Sequence, residues 1–189
     1  MKHDDDKLTR ILDAAADLFA KQPFHKVLLS DVARIASVGK GTLYLYFKSK
    51  DDLYFGVLLR SFSSLIGKLE KHISEEAVPA DEQMRDVIRI LTEHLFKKAI
   101  NMELLGCVMT CPSTDEWRDK RMELWGLLEA LIRRGIDQGV FEDATPRLTA
   151  QYIPALLRSV CLFRPEGQDI QSISDHACTF ILQGLEKNK

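Results

Sequence analysis

Apolar residues recur along this chain at intervals of three and four, the spacing that lines one face of an α-helix, and no run keeps the two-residue alternation of a strand. The pattern predicts an all-α protein of about nine helices. Leu8, Ile11, Leu12, Ala15, Leu18 and Phe19 form the stripe of a first helix. It stops at Gln22-Pro23, because proline cannot continue the hydrogen-bond ladder. A second helix is expected from Leu29 to Ala36 and a third, very short one from Lys40 to Tyr46. Ser49-Lys50-Asp51-Asp52 reads as the capped start of a long fourth helix ending near His72.

Beyond Pro79, Met84, Val87, Ile88, Leu91, Leu95 and Phe96 mark a helix over 82–98, and another apolar segment, Met102 to Met109, is closed by Pro112. Ser113-Thr114-Asp115-Glu116 has the Ser-x-x-Glu form of a capping box, so a helix should start there and run towards Gly139. Thr145-Pro146 is the next start signal, an N-cap followed by proline in the first turn. The last two helices are expected over 146–163, kinked at Pro154, and 169–187, with the turn chemistry of Pro165-Glu166-Gly167 between them.

The stretch Ala33 to Lys50, ARIASVGKGTLYLYFKSK, packs a helix, a tight turn, a second short helix and a cationic exit into little space. A helix-turn-helix needs those parts: a short turn containing glycine, small residues that let two helices cross closely, and polar or aromatic groups facing outward. Ala33, Ala36, Gly39 and Gly41 are the small residues; Thr42, Tyr44, Tyr46, Lys48 and Lys50 are the polar ones.

The net charge of −2 at first argues against a polyanion as partner, but its distribution does not. Residues 7–50 hold eight Lys/Arg against three Asp/Glu, whereas residues 51–189 hold seventeen against twenty-two. A basic head sits on an acidic body. With 46% hydrophobic and 29% charged residues the composition is that of an ordinary globular chain, and the apolar runs are far shorter than a membrane span needs. MKHDDDK lacks the apolar stretch of a signal peptide and reads as an arm outside the fold. Cys107, Cys111, Cys161 and Cys178 are scattered, which suggests free thiols in the cytoplasm. Cys107 and Cys111 would share a helix face, but no third ligand stands near, so neither a metal nor a cofactor is expected.

The head resembles the tetracycline-repressor (TetR/AcrR) family of bacterial regulators. The resemblance is carried by Arg10-Ile11-Leu12-Asp13-Ala14-Ala15, Leu18-Phe19, Asp31-Val32-Ala33 and Gly41-Thr42-Leu43-Tyr44-x-Tyr46-Phe47-Lys48-Ser49-Lys50-x-x-Leu53. It implies a DNA-binding head over residues 1–49 and a ligand-binding and dimerisation domain over 50–189. It also implies base or groove-floor contacts from Lys40, Gly41, Tyr44 and Leu45, and phosphate contacts from Thr42, Tyr46 and Lys50, with Leu43 and Phe47 pointing inward. Where family members commonly show Gly-Val-Ser-x-Gly, this chain has Ser37-Val38-Gly39-Lys40-Gly41. A left-handed residue 37 would suit serine less than glycine, and Gly39 would cap the third helix without a hydroxyl. Ser30 is expected to cap the second helix, where Val27-Leu28-Leu29 replaces the usual threonine.

One head reads only a few base pairs, so a homodimer on a near-palindromic double-stranded operator follows. The helix order of the resembled family points to the last two helices as the interface, through Tyr152, Leu156, Val160, Phe163, Ala177, Phe180, Ile181 and Gly184; an intramolecular core is the other reading. The resembled family places a ligand cavity in the middle of the chain, where Phe62, Ile66, Leu91, Leu95, Met102, Leu105, Met109, Trp117 and Trp125 would line the site of an apolar or amphipathic effector. The expected function is a repressor relieved by ligand, with an activator as a variant. A small all-α enzyme or a protein-binding bundle is the alternative class, although no Ser-His-Asp set, HExxH or phosphate loop is recognisable.

Overall fold

The acidic segment expected as an arm is helical: α1 runs from Lys2 to Lys21. Its first turns gain from acidic residues near a helix N-terminus, and Asp6 pairs with Arg10 at 3.2 Å, one turn on. The structure, a computed structural model, describes residues 2–97, 114–163 and 166–186. A 3-10 turn at Phe24–Lys26 follows α1, then α2 (Leu29–Ile35), α3 (Lys40–Tyr46), α4 (Lys50–Ile73), α5 (Ala80–Lys97), α6 (Asp115–Asp137), α7 (Pro146–Phe163) and α8 (Ile170–Leu185). Eight α-helices stand among the described residues. The segment Met102–Met109, expected as a ninth, lies outside them.

The chain packs as two compact units, whose described parts meet in sequence between Ser63 and Ser64, inside α4. In the first unit, Ile11, Leu12 and Ala15 of α1, Val32 and Ala33 of α2, Leu43 of α3, and Val27, Phe47 and Leu53 form one buried cluster. Gly56 belongs to this packing: a Cβ there would lie 2.8 Å from the Phe47 ring. Ser30 does not cap α2. Leu28 holds that position with no side-chain cap bond, and its carbonyl accepts from the Asp31 and Val32 amides, which puts Ser30 inside the helix. The start of α4 is boxed as expected: Ser49 Oγ accepts from the Asp52 amide at 3.0 Å, and Asp52 Oδ2 accepts from the Lys48 amide at 2.8 Å.

In the second unit α5 packs against α6, α7 and α8, and Met84, Ile88, Leu128, Leu131, Ile132, Ile153 and Leu157 are fully or almost fully buried. The last turn of α4 ends here on polar partners from two other helices. Gln83 Nε2 donates to the carbonyls of His72 and Glu75, Arg134 Nη1 donates to Ile73 O at 2.9 Å, and Arg134 Nη2 donates to Gln83 Oε1. Orphan carbonyls at a helix C-terminus favour a cation and buried donors of this kind. The N-cap of α6 is Thr114, without a side-chain bond; Ser113, expected to open a capping box, lies outside the described residues. The far end of α6 closes in a Schellman turn: Gly139 is left-handed, and the Val140 amide donates to Gly135 O at 2.9 Å. Phe141 then folds its buried ring onto Gly135. Pro146 opens α7, which carries Pro154 within its length, and Asp169 caps α8 by accepting from the Ser172 amide at 2.7 Å.

Candidate nucleic-acid interface

The turn between α2 and α3 is a second Schellman motif. The Ser37 amide donates to Arg34 O at 3.2 Å and the Val38 amide to Ala33 O at 2.9 Å, while Val38 packs on the head core. Such a turn needs one left-handed residue, and here it is Ser37, with φ of 52°. The geometry of the motif is kept with serine in the place that glycine fills at residue 139. Arg10 supports the turn, donating from Nη1 to Ala36 O at 3.2 Å at the negative end of α2. Gly39 is the extended N-cap of α3 and makes no side-chain cap bond.

α3 is only seven residues long, and its two faces differ sharply. Leu43 is fully buried and Phe47, its C-cap, nearly so. Lys40 and Gly41 are exposed, Tyr44 is 46% exposed and Leu45 85% exposed, so residues one turn apart form a single outward face. A Cβ on Gly41 would meet nothing within 4 Å. Thr42 and Tyr46 are half-buried at the flank, with Tyr46 against the head core. The outward face therefore offers an ammonium, a phenol, an apolar tip and a bare stretch of backbone to a groove.

Lys50 is turned elsewhere. Its ammonium donates to the carbonyls of Phe24 at 2.9 Å, Val27 at 3.2 Å and His25 at 3.3 Å, and lies 4.5 Å from the centre of the Phe24 ring. Phe24 stacks on Phe19 at 5.6 Å, and Tyr54 meets both rings edge-on; burial pushes the Tyr54 phenol up to about 12. Arg60 ties α4 to α1 through Asp13 at 2.7 Å. Sequence reasoning missed these supporting roles of Arg10 and Arg60. Nothing in the spacing marks them, because their partners are far along the chain.

In the second unit, Tyr152, Leu156, Phe180, Ile181 and Gly184 come together along one groove of about 720 Å³ between α7 and α8. Tyr152 and Phe180 are about 60% exposed, an unusual outlay of aromatic surface, whereas Ala177 and Ile181 are buried. Val160 packs against the cluster of Phe96, Cys161 and Ile173, and Phe163 is 77% exposed. Of the expected effector lining, Ile66 and Leu91 are buried, and Leu95, Trp117 and Trp125 are half-buried, with the Arg147 guanidinium 5.8 Å over the Trp125 ring. Phe62 is half-buried on α4 in the first unit. Met102, Leu105 and Met109 lie outside the described residues, as do Cys107 and Cys111. Cys161 and Cys178 are buried, with Cys161 Sγ donating to Leu95 O at 3.2 Å, and burial raises the pKa of the Cys178 thiol. Among the described residues no helix is long and apolar enough to cross a membrane.

A short exposed helix behind a Schellman turn, on a basic head joined to an all-α body, defines a helix-turn-helix DNA-binding regulator. The sequence matches "Bacterial regulatory proteins, tetR family" over residues 11–57 and "Tetracyclin repressor-like, C-terminal domain" over residues 77–185. The chain belongs to the tetR family: it is a DNA-binding, ligand-responsive repressor that acts on its operator as a dimer. Similar proteins include the fatty acid metabolism regulator protein of Bacillus subtilis, 24% identical over 98% of each chain. The transcriptional regulator UidR of Escherichia coli is 28% identical over 86% of this chain and 83% of its own. The fold is shared with the FadR regulator of Bacillus subtilis in complex with stearoyl-CoA (TM-score 0.71, 23% identity, covering 93% of this chain and 98% of that one). It is shared too with the reduced form of Escherichia coli NemR (TM-score 0.75, 17% identity, 97% and 98% covered).

Proposed function

We infer that the outward face of α3 reads a near-palindromic operator, with Lys40, Gly41, Tyr44 and Leu45 at the base edges and Thr42 and Tyr46 at flanking phosphates. The observation that carries this is the division of α3 itself. Leu43 and the C-cap Phe47 face the core with Thr42 and Tyr46 half-buried beside them, and an 85% exposed leucine beside a tyrosine and a lysine has no packing use. An apolar tip and a tyrosine ring suit thymine methyls, and an ammonium suits guanine O6 and N7. Residues 1–49 form the reading head and 50–189 the sensing and dimerising domain, with the groove of Tyr152, Leu156 and Phe180 covered by the second copy. The protein works in the cytoplasm as a regulator without catalysis of its own.

The effector is an apolar or amphipathic small molecule, and its binding releases the operator. A long-chain acyl thioester is the first ligand to test, because a similar regulator is named for fatty acid metabolism and a similar fold holds stearoyl-CoA. Coupling requires only that the ligand prefer the state that binds DNA poorly.

Selection of genomic fragments with the purified protein should return a near-palindromic site. Tyr44→Ala should weaken that site about tenfold or more in an anisotropy titration, the size of a lost base contact. Stearoyl-CoA added to the complex should release the duplex. Unchanged affinity for Tyr44→Ala would remove this face from the reading, and retention of the duplex at saturating stearoyl-CoA would remove the acyl thioester.

A further inference from the structure

We propose that the two lysines flanking Ser49 divide their work: Lys48 holds a DNA phosphate, and Lys50, which the family resemblance places at a phosphate, is a positioning residue that braces the helix-turn-helix without touching DNA. This rests on the DNA-binding role of the head and assigns which of its cations meets the polyanion.

Lys50 is the first residue of α4, and its ammonium has three N–H groups. Three carbonyls receive it, those of Phe24, His25 and Val27, and the Phe24 ring lies beside it at 4.5 Å. All three acceptors sit in or next to the 3-10 turn between α1 and α2. Two of the three bonds lie in part-buried surroundings. The ring itself is fixed, stacked on Phe19 and met edge-on by the buried Tyr54. A phosphate oxygen could accept a hydrogen bond from this ammonium only if a charge-assisted bond broke and a carbonyl lost its donor. The bond set instead closes a loop from Phe24 to Lys50. Everything between, α2, the Ser37 turn and α3, is held inside that loop.

Lys48 is built the other way. It follows Phe47, the C-cap of α3, and its amide is pinned by Asp52 Oδ2 at 2.8 Å, so its backbone is fixed. Its side chain is exposed, and no described residue pairs with its ammonium. A fixed backbone carrying an unspent cation, two residues beyond the last residue of α3, is what a phosphate contact needs.

The test uses the full chain and the operator recovered by selection, with affinity measured over a range of salt. Lys48→Gln should flatten the slope of log affinity against log salt by about 0.9 per head, the loss of one phosphate, with the melting temperature unchanged. Lys50→Met keeps the aliphatic stem and should leave the slope unchanged. It should lower the melting temperature and cost about tenfold in operator affinity, as the loss of charge-assisted bonds does. Phe24→Leu should act in the same direction as Lys50→Met. If Lys50→Met folds poorly, ammonium-detected NMR of the wild-type protein with labelled lysine serves instead. Lys50 should show a protected ammonium whose shift ignores the operator, while the Lys48 signal moves. A slope lowered by about 0.9 per head in Lys50→Met, or a Lys50 signal that moves with the operator, overturns its assignment. An unchanged slope in Lys48→Gln overturns the other half. Failure of the wild-type protein to select any operator would overturn the DNA-binding reading together with this one.

Discussion

The amide of Val38 donates to the carbonyl of Ala33 at 2.9 Å, and the amide of Val140 donates to the carbonyl of Gly135 at the same distance. The two turns have one hydrogen-bond pattern and differ in the left-handed residue, Ser37 in one and Gly139 in the other. A side chain in that conformation costs about 1–2 kcal/mol, partly offset because glycine is freer in the unfolded chain. Ser37→Gly should therefore stabilise the protein by about 0.5–1 kcal/mol, and Ser37→Val should destabilise it. Urea titration of both variants checks the pair.

A Cβ at Gly135 would stand 2.0 Å from the Phe141 ring, far inside contact distance. Gly135→Ala should cost about 2–3 kcal/mol, although alanine is the better helix former, because the buried ring has to move. Phe141→Ala should cost about 3–5 kcal/mol by emptying the same space. The two effects should not add: in Phe141→Ala the new methyl has room, so the double variant should match Phe141→Ala to within about 0.5 kcal/mol. A denaturation double-mutant cycle measures this.

Gly41 is the opposite case. It lies inside α3 with nothing within 4 Å of a Cβ, so the protein has no packing reason to keep it. Gly41→Ala should raise the stability of the free protein by about 0.5–1 kcal/mol. The same methyl would stand between the helix backbone and the groove, and operator affinity should fall about tenfold. Thermal melting without DNA and an operator titration should move in opposite directions.

The cap of α8 carries a pH signature. The Ser172 amide, donating to Asp169 Oδ1, holds that carboxyl below the usual aspartate range. Because the folded state prefers the ionised form, the contribution is fully present above the ordinary carboxylate range and fades as pH falls through the lowered folded value. Asp169→Asn keeps an acceptor without the charge. The difference in melting temperature between wild type and Asp169→Asn should shrink as pH falls from neutral into the acid range, whereas Asp169→Ala should be less stable than the asparagine variant throughout.

Most of the helix order was legible from apolar spacing and from punctuation such as Pro23, Ser49 and Pro146, since local signals set local structure. The division of α3 was legible too, because seven residues cannot bury every side chain. Caps were read less well. Ser30 has the right chemistry for an N-cap but stands inside α2, where Leu28 is extended and holds the capping place. The acidic, polar opening of the chain reads as an arm, yet it is the start of α1, where aspartates near a helix N-terminus favour helix. The family resemblance places Lys50 at a phosphate, whereas in the structure its ammonium is turned to carbonyls of the turn after α1. Its carbonyl partners lie more than twenty residues upstream, and no local pattern announces a contact of that kind.

Leu45 leaves a branched apolar side chain almost wholly in water for as long as the protein is off its operator. On the proposed reading of the operator, burying it against a thymine methyl would remove that hydration and add a negative heat-capacity change to binding. Apolar burial loses strength on cooling, so this share of the grip on DNA slackens in the cold and firms with warmth. On that reading the tip of one leucine would lend repression a temperature coefficient, separate from any effector.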